Sequence, residues 1–437
     1  MAVTVKGTIL VTGANGGLGS AIAHQFASKS ELSAYHGLYA VRDTSHAPVL
    51  TSALAHGATH PYDVVALDLT RLDNVRVVAE GINARVSAGE IPPIRALILN
   101  AGFLDFGKQT WTAHGLENTF AANYLGHWLL TLLLLKSMDK QAGRIVVIGS
   151  QAHNPKDPRN AMGRAFVDPK YQTIVTDAAR FEAISKGSWS PDASFQGGFR
   201  RYGVSKLFLI MMQHELQARL NADPTLSNIC ILGVDPGTMV SGLQRLAPWV
   251  IRVLIHKIIY TALLWLNPNN GLVRPTSGAA ADVLEAAFGT QGGELPKDKY
   301  FDGRSPFETS EESRDTEKRE LVWKETVKLA GLKDGETVLT TWQICHGKSR
   351  MVRVPRHDHK YVRLFLQRIG GNEVWVSQIP VIPAHQLAAA DKPDWTGLAI
   401  SPVMVLNDRV AESEPEPGQQ GGRRLMPQDS DKLEMKT

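Results

Sequence analysis

The chain has 437 residues, 43% hydrophobic and 21% charged, enough to bury one large core or two modest ones. Its 47 basic against 43 acidic residues leave a formal charge of +4 with no basic run interleaved with aromatics, which argues against a nucleic-acid partner. Two cysteines, Cys230 and Cys345, supply no disulfide framework, and the N-terminal residues lack the cationic, apolar and small-residue series of a secretory signal, so a cytoplasmic protein is expected.

Residues 7–12 form a short apolar, β-branched run. The stretch Thr12-Gly13-Ala14-Asn15-Gly16-Gly17-Leu18-Gly19 follows, and apolar residues then recur at helical spacing to Lys29. Further strands are predicted over 37–41, 64–67, 96–99, 144–148, 229–234 and 299–302, and helices over 72–86, 116–135, 202–220 and 276–288. This alternation predicts an α/β, Rossmann-type doubly wound parallel sheet with helices on both faces, filling residues 1–336. Segment 246–266 is strongly apolar but carries Arg252, His256 and Lys257 on one helical face; a helix covering a pocket or packing on the core is preferred there to peripheral membrane contact. Beyond 336 the alternation degrades. Residues 337–405 form an extension in which Val352, Leu364, Leu366, Val374 and Trp375 suit a strand or hairpin, and 406–437, rich in Glu, Pro, Gln, Gly and Lys, is expected to be poorly ordered. Cys345, His346, His357 and His359 match no zinc spacing, so no metal site is expected.

A glycine-rich loop between a strand and a helix lets the backbone approach a pyrophosphate, which the helix N-terminus then faces. Gly13, Gly17 and Gly19 satisfy one dinucleotide spacing, Gly-x-x-x-Gly-x-Gly, while Gly13, Gly16 and Gly19 satisfy another, Gly-x-x-Gly-x-x-Gly; the loop alone does not choose. Far downstream, Tyr202 and Lys206 place a phenol and an ammonium on one helical face. A free phenol titrates near 10, so proton exchange at neutral pH calls for roughly 4 kcal/mol in favour of the phenolate, which a nearby ammonium helps supply. Loop and pair together are the minimum equipment for moving a hydride and a proton between a nicotinamide and a carbonyl or alcohol, so the chain reads as an oxidoreductase.

Further pieces stand between them in order: Asn100-Ala101-Gly102 after an apolar strand, Asn123 in the next helix, Ser150 ending Ile145-Val146-Val147-Ile148, and Pro236-Gly237 after the following strand. With these, residues 5–330 resemble the short-chain dehydrogenase/reductase family, in its compact single-domain branch with the first glycine spacing. The resemblance implies that Tyr202 exchanges the proton, Lys206 stabilises the phenolate and holds the nicotinamide ribose, Ser150 orients the substrate oxygen, and Asn123 holds a water of the proton relay. It further implies that Gly13, Asn15, Gly17, Leu18 and Gly19 hold the cofactor from the loop, Asn100, Ala101 and Gly102 from the fourth strand, and Pro236, Gly237 and Thr238 from the sixth. Asp68 would contact the adenine, a turn or helix cap being the plain alternative. Arg42, at the end of Ala40-Val41-Arg42-Asp43, would pair with the 2′-phosphate of NADP, as in the similar run of retinol-dehydrogenase-like members, whereas Asp43 would suit NAD; NADP(H) is the expected cofactor.

The chain departs from the family in the length of 151–201, an insertion read as part of the pocket wall. Ser188, Ser190 and Ser194 lie nearer Tyr202 in sequence, but only Ser150 ends a buried-type strand. A substrate lid over 238–275, with Trp249, Tyr260 and Trp265, suits an apolar small molecule. The context of Tyr202 is similar to that of fungal secondary-metabolism reductases, and the resemblance admits a homo-oligomer. The rival reading is a catalytically silent dinucleotide-binding regulatory or scaffold protein, against which intact Ser150, Tyr202 and Lys206 speak.

Overall fold

The computed structural model describes residues 5–55, 60–239, 246–247, 265, 273–290 and 296–343, and the backbone of three strands between 349 and 377. Two compact units divide the chain, Met1–Gln343 and Ile344–Thr437.

The first unit is built on strands β1 (Thr8–Thr12), β2 (His36–Val41), β3 (Tyr62–Ala66), β4 (Ile94–Leu99), β5 (Arg144–Ile148), β6 (Cys230–Asp235), β7 (Tyr300–Asp302) and β8 (Ser305–Pro306). They form one sheet in the order β3-β2-β1-β4-β5-β6-β7-β8, with only β8 antiparallel. The fold is therefore the expected doubly wound α/β sheet, and its strand order reverses between β1 and β4, where a crevice opens at the carboxyl ends of the strands. The central strands β1, β4, β5 and β6 are apolar runs because both faces are covered. In β4, Ala96 and Ile98 join one buried cluster with Ile22, Phe26, Val283 and Leu284, while Leu97 and Leu99 join the other with Ile82, Trp128, Leu129 and Phe208.

Helices α1 (Gly17–Ser28), α2 (Pro48–Leu54), α3 (Leu72–Ser87), α4 (Asn118–Phe120), α5 (Gly126–Leu134), α6 (Ala178–Ser185), α7 (Phe195–Ala222), α8 (Thr276–Phe288), α9 (Glu311–Arg314) and α10 (Thr316–Ala330) cover the sheet. The apolar periodicity at 116–135 resolves into α4, a π-helical turn Ala121–Leu125 and α5. Helix α7 begins at Phe195, ahead of the predicted start, because Ser194 caps it by accepting from the Gly197 amide, and because Gly197 and Gly198 leave room for Asp192 and Asp105. In the insertion, Asp157, Asp168 and Asp177 each accept from an amide two or three residues on, starting short 3-10 turns and α6. These Asp-initiated turns, with α2, α9 and α10, were not among the predicted elements. Among the described residues no helix is long and apolar enough to cross a membrane.

Residues 337–343 belong to the first unit: Leu339 and Trp342 are buried, and the Trp323 indole donates to the Trp342 carbonyl at 2.8 Å. Within the second unit β9 (Ser349–Arg353), β10 (Tyr361–Ile369) and β11 (Asn372–Ser377) make an antiparallel meander with β10 central; Leu366 pairs with Trp375 and Val362 with Val352. Cys345, His346, His357, His359, the tail 406–437 and nearly all of the segment 246–266 lie outside the described residues.

Candidate active site

The glycine loop follows from crowding. After β1 the chain turns at Gly13 with φ +66°, and a Cβ there would lie 2.8 Å from the Ala101 Cα. A Cβ on Gly19 would strike the Gly13 carbonyl and approach the Asn100 amide at 2.8 Å. The first helical turn of α1 carries no side-chain cap: Gly16 has no side chain to close it and no acidic residue lies in it, a helix start that suits an anion. Asn15 turns elsewhere, its Oδ1 accepting from the Val49 and Leu50 amides at 3.0 Å each, which caps α2 against the loop.

Asn100 Nδ2 donates to the Thr12 carbonyl at 2.7 Å, and the amides of Asn100 and Ala101 donate to Thr12 Oγ1 at 2.9 and 3.0 Å. Thr12 Oγ1 is 2.9 Å from His127 Nε2, and His127 Nδ1 is 3.1 Å from the Asn123 carbonyl. The carbonyl can only accept, so the ring carries its proton on Nδ1 and Thr12 donates to Nε2. Burial holds His127 neutral, down to about 3. Thr12 and His127 thus weld the loop, β4 and the π-helical turn together, roles that no sequence motif marked.

Tyr202 and Lys206 lie one turn apart on α7, both buried, and the Lys206 ammonium is 5.5 Å from the Tyr202 ring centre and donates to the Ile148 carbonyl at 2.8 Å. Burial raises the Tyr202 phenol above its ordinary value, a hydrogen bond with Ser150 opposing and Asp235 adding to the rise. Burial lowers Lys206 to about 8, with Asp235 opposing. Tyr202 is therefore held as the neutral phenol, opposite to the shift toward the phenolate that the sequence reading called for, beside a lysine that stays mostly protonated at neutral pH. Ser150, ending β5, also accepts from the Ala152 amide at 3.2 Å. The serines nearer in sequence are otherwise occupied: Ser190 accepts from Arg200, Ser188 donates to the Ala183 carbonyl and Ser194 caps α7.

Asn123 sits in the π-helical turn. Its Oδ1 accepts from the Phe103 amide at 3.0 Å, and its Nδ2 donates to the Phe103 carbonyl at 3.0 Å and to Ser205 Oγ at 3.1 Å. The side chain is therefore a brace between the segment after β4 and α7. A Cβ on Gly102 would lie 3.4 Å from Asn123 Oδ1 and 3.7 Å from Lys206 Nζ, which brings the Asn-Ala-Gly element beside Lys206.

At the end of β2, Asp43 closes a turn by accepting from the Ser45 amide at 2.9 Å and hydroxyl at 2.6 Å, bonds that lower its carboxyl below the usual range. Arg42 is exposed and makes no hydrogen bond or ion pair among the described residues. Asp68 likewise closes a turn, accepting from Thr70 through one oxygen at 3.0 and 2.7 Å. After β6, Gly237 takes φ +73° and donates to Asp235 at 2.9 Å, and the Thr238 carbonyl accepts from the Arg274 amide. Most of the 238–275 lid lies outside the described residues.

An aromatic wall leads to the phenol. Phe195, Phe199 and Tyr202 fall at helical spacing, with ring centres 5.7 and 6.3 Å apart, and Phe106 meets Phe195 at 5.6 Å. Phe106 adopts φ +52°, a backbone conformation uncommon for a bulky residue, while Asp105 before it is gripped by Arg201 at 2.7 and 3.0 Å. The Phe195-to-Tyr202 spacing could have marked this wall in the sequence.

Comparison with known proteins follows the same outline. The model of the short chain dehydrogenase family matches residues 7–162. The short-chain dehydrogenase iccH of Talaromyces variabilis is 40% identical over 363 residues, spanning 77% of this chain and 99% of that protein. Polyprenol dehydrogenase of Mus musculus is 28% identical over 340 residues, 76% of this chain and 86% of that one. A crystal structure of an uncharacterized protein from Mycobacterium paratuberculosis shares the fold at a TM-score of 0.51 and 24% identity, over 76% of this chain and 96% of that one.

Proposed function

The chain belongs to the short-chain dehydrogenase/reductase family of oxidoreductases, and from that premise we propose that it uses NADP(H) to interconvert the carbonyl and secondary alcohol of an apolar small molecule. The observation that carries the reading is the buried Tyr202 phenol, held neutral between Ser150 and the anchored Lys206 at the carboxyl edge of the sheet.

The loop suits a dinucleotide: Gly13 and Gly19 have no room for a Cβ against Ala101, Asn100 and the loop's own backbone, so only a bare backbone turns here, beside a start of α1 that has no side-chain cap. The loop from Gly13 to Gly19 would hold the pyrophosphate, with Asn100, Ala101 and Gly102 beside it, Asp68 toward the adenine, and Pro236, Gly237 and Thr238 toward the nicotinamide. The free Arg42 and the turn-bound Asp43 support the 2′-phosphate, hence NADP(H) over NAD(H). When bound, the cofactor supplies the hydride. Ser150 orients the substrate oxygen, Tyr202 gives that oxygen its proton, and Lys206 keeps a positive charge beside the phenolate left behind. Phe106, Phe195 and Phe199 support an apolar substrate, and the kinship with the Talaromyces protein supports a fungal metabolite.

The test mixes the purified full chain with NADPH and a panel of apolar ketones. Substrate-dependent loss of reduced-nicotinamide absorbance supports the reading. Tight NADPH binding with no turnover on any ketone favours the silent dinucleotide-binding alternative.

A further inference from the structure

Asp235 ends β6 with 2% of its surface exposed. Its Oδ1 accepts from the Gly237 amide at 2.9 Å, while its Oδ2 has no hydrogen-bond partner among the described residues and lies 3.7 Å from Arg159 Nη1. A buried carboxylate so sparsely bonded stays ionised only beside a cation. Its position is specific. Val234 pairs with Ile148 across β5 and β6, and Ile148 is the residue whose carbonyl anchors the Lys206 ammonium.

The surrounding charges come from four elements. The insertion supplies Asp157 and Arg159, β7 supplies Asp302 and Tyr300, the residues before α8 supply Arg274, and α7 supplies Tyr202 and Lys206. Arg159 is gripped by Asp157 and bonds Asp302 at 2.9 Å, and Arg274 bonds Asp302 at 2.8 Å. Three carboxylates thus face two guanidiniums, and the nearby Lys206 is the cation that completes the balance. The other titratable neighbour of Lys206, His127, is buried and neutral.

We propose that Arg159 of the inserted segment, by keeping Asp235 ionised, makes Asp235 a positioning residue that sets the protonation of the Tyr202–Lys206 pair and so the pH window of turnover. The proposal rests on the activity assigned above. Burial leaves the Asp235 carboxyl above its ordinary value, with Asp302 adding to the rise, while the Gly237 amide, Arg159 and Arg274 oppose it and favour the ionised form; Asp235 in turn raises both Lys206 and Tyr202. Both effects keep protons on the pair to higher pH, which sets the alkaline limb of carbonyl reduction. The insertion therefore reaches the chemistry through a charge as well as through the pocket wall.

The test is the pH profile of kcat/KM for ketone reduction, paired with carbon-13 NMR titration of the Lys206 side chain, assigned with Lys206→Met. Asp235→Asn should move the alkaline limb and the Lys206 titration to lower pH by about one unit. Arg159→Gln should move both the same way, add nothing in the double variant, and be rescued by Arg159→Lys. Unchanged limb and unchanged Lys206 titration in Asp235→Asn, with only a lowered thermal midpoint, would overturn the proposal. If Asp235→Asn fails to fold, the half-exposed Arg159→Gln decides alone. A wild type without turnover counts against the assigned activity, and the Lys206 titration still decides the present inference.

Discussion

The ammonium of Lys206 is tied to the Ile148 carbonyl at 2.8 Å while standing 5.5 Å from the centre of the Tyr202 ring. The lysine is thus positioned by the sheet and does not depend on the charge of its catalytic neighbour. A cation fixed in advance stabilises the phenolate without reorganising when the proton leaves.

Arg42→Asp should swing cofactor preference from NADPH toward NADH. The substitution removes a charged contact with the 2′-phosphate, worth roughly 1.5–3 kcal/mol, and adds a carboxylate against it. NADPH affinity measured by calorimetry should weaken by one to two decades or more. Unchanged NADPH affinity would reassign the phosphate contact.

Acid should destabilise the fold through its buried neutral histidines. Burial lowers His127 to about 3 and His60 and His153 to about 4, so the unfolded chain binds protons that the folded one refuses. Their contribution is fully present above the ordinary histidine value of 6.5 and is lost as pH falls toward 4. Urea titrations should show stability falling by roughly 1 kcal/mol per pH unit for each histidine across that window. His127→Gln should remove about a third of this slope; a slope unchanged by the substitution would contradict the neutral assignment.

Truncation after Gln343 should leave a folded, active protein, because the first compact unit ends there and holds every assigned site residue. Truncation after Glu336 should be worse, since it strips Leu339 and Trp342 from the core and leaves the Trp323 indole without its carbonyl. Loss of a buried tryptophan alone costs about 3–5 kcal/mol. Comparing thermal midpoints and kcat/KM of the two truncations with the full chain checks this; an inactive, folded 1–343 protein would bring the second unit into the site.

The sheet and its cofactor loop were legible because their physics is local. A five-residue apolar strand, a glycine turn and an amphipathic helix announce themselves, and α8 spans Thr276–Phe288 as its periodicity predicts. The placement of Ser150 just past β5 and of Tyr202 and Lys206 on α7 also follows from short motifs. What stayed hidden depends on long-range neighbours. His127 reads as one polar residue in an apolar helix until Thr12 is folded against it, and Arg159 reads as a loop cation until β6 and β7 bring Asp235 and Asp302 to it. Asp43 and Asp68 each spend an oxygen on their own turn, a local competition that spacing alone does not weigh.

Tyr202→Phe tests the central claim most directly. The phenyl ring keeps its packing against Phe199 and Ala152 and loses only the hydroxyl that gives the proton. With a ketone that the wild type reduces, kcat should fall by about two to four orders of magnitude while NADPH affinity stays within a few-fold of wild type. Retention of more than about a tenth of wild-type kcat would contradict the account, because general acid catalysis by Tyr202 would then contribute less than its ordinary share.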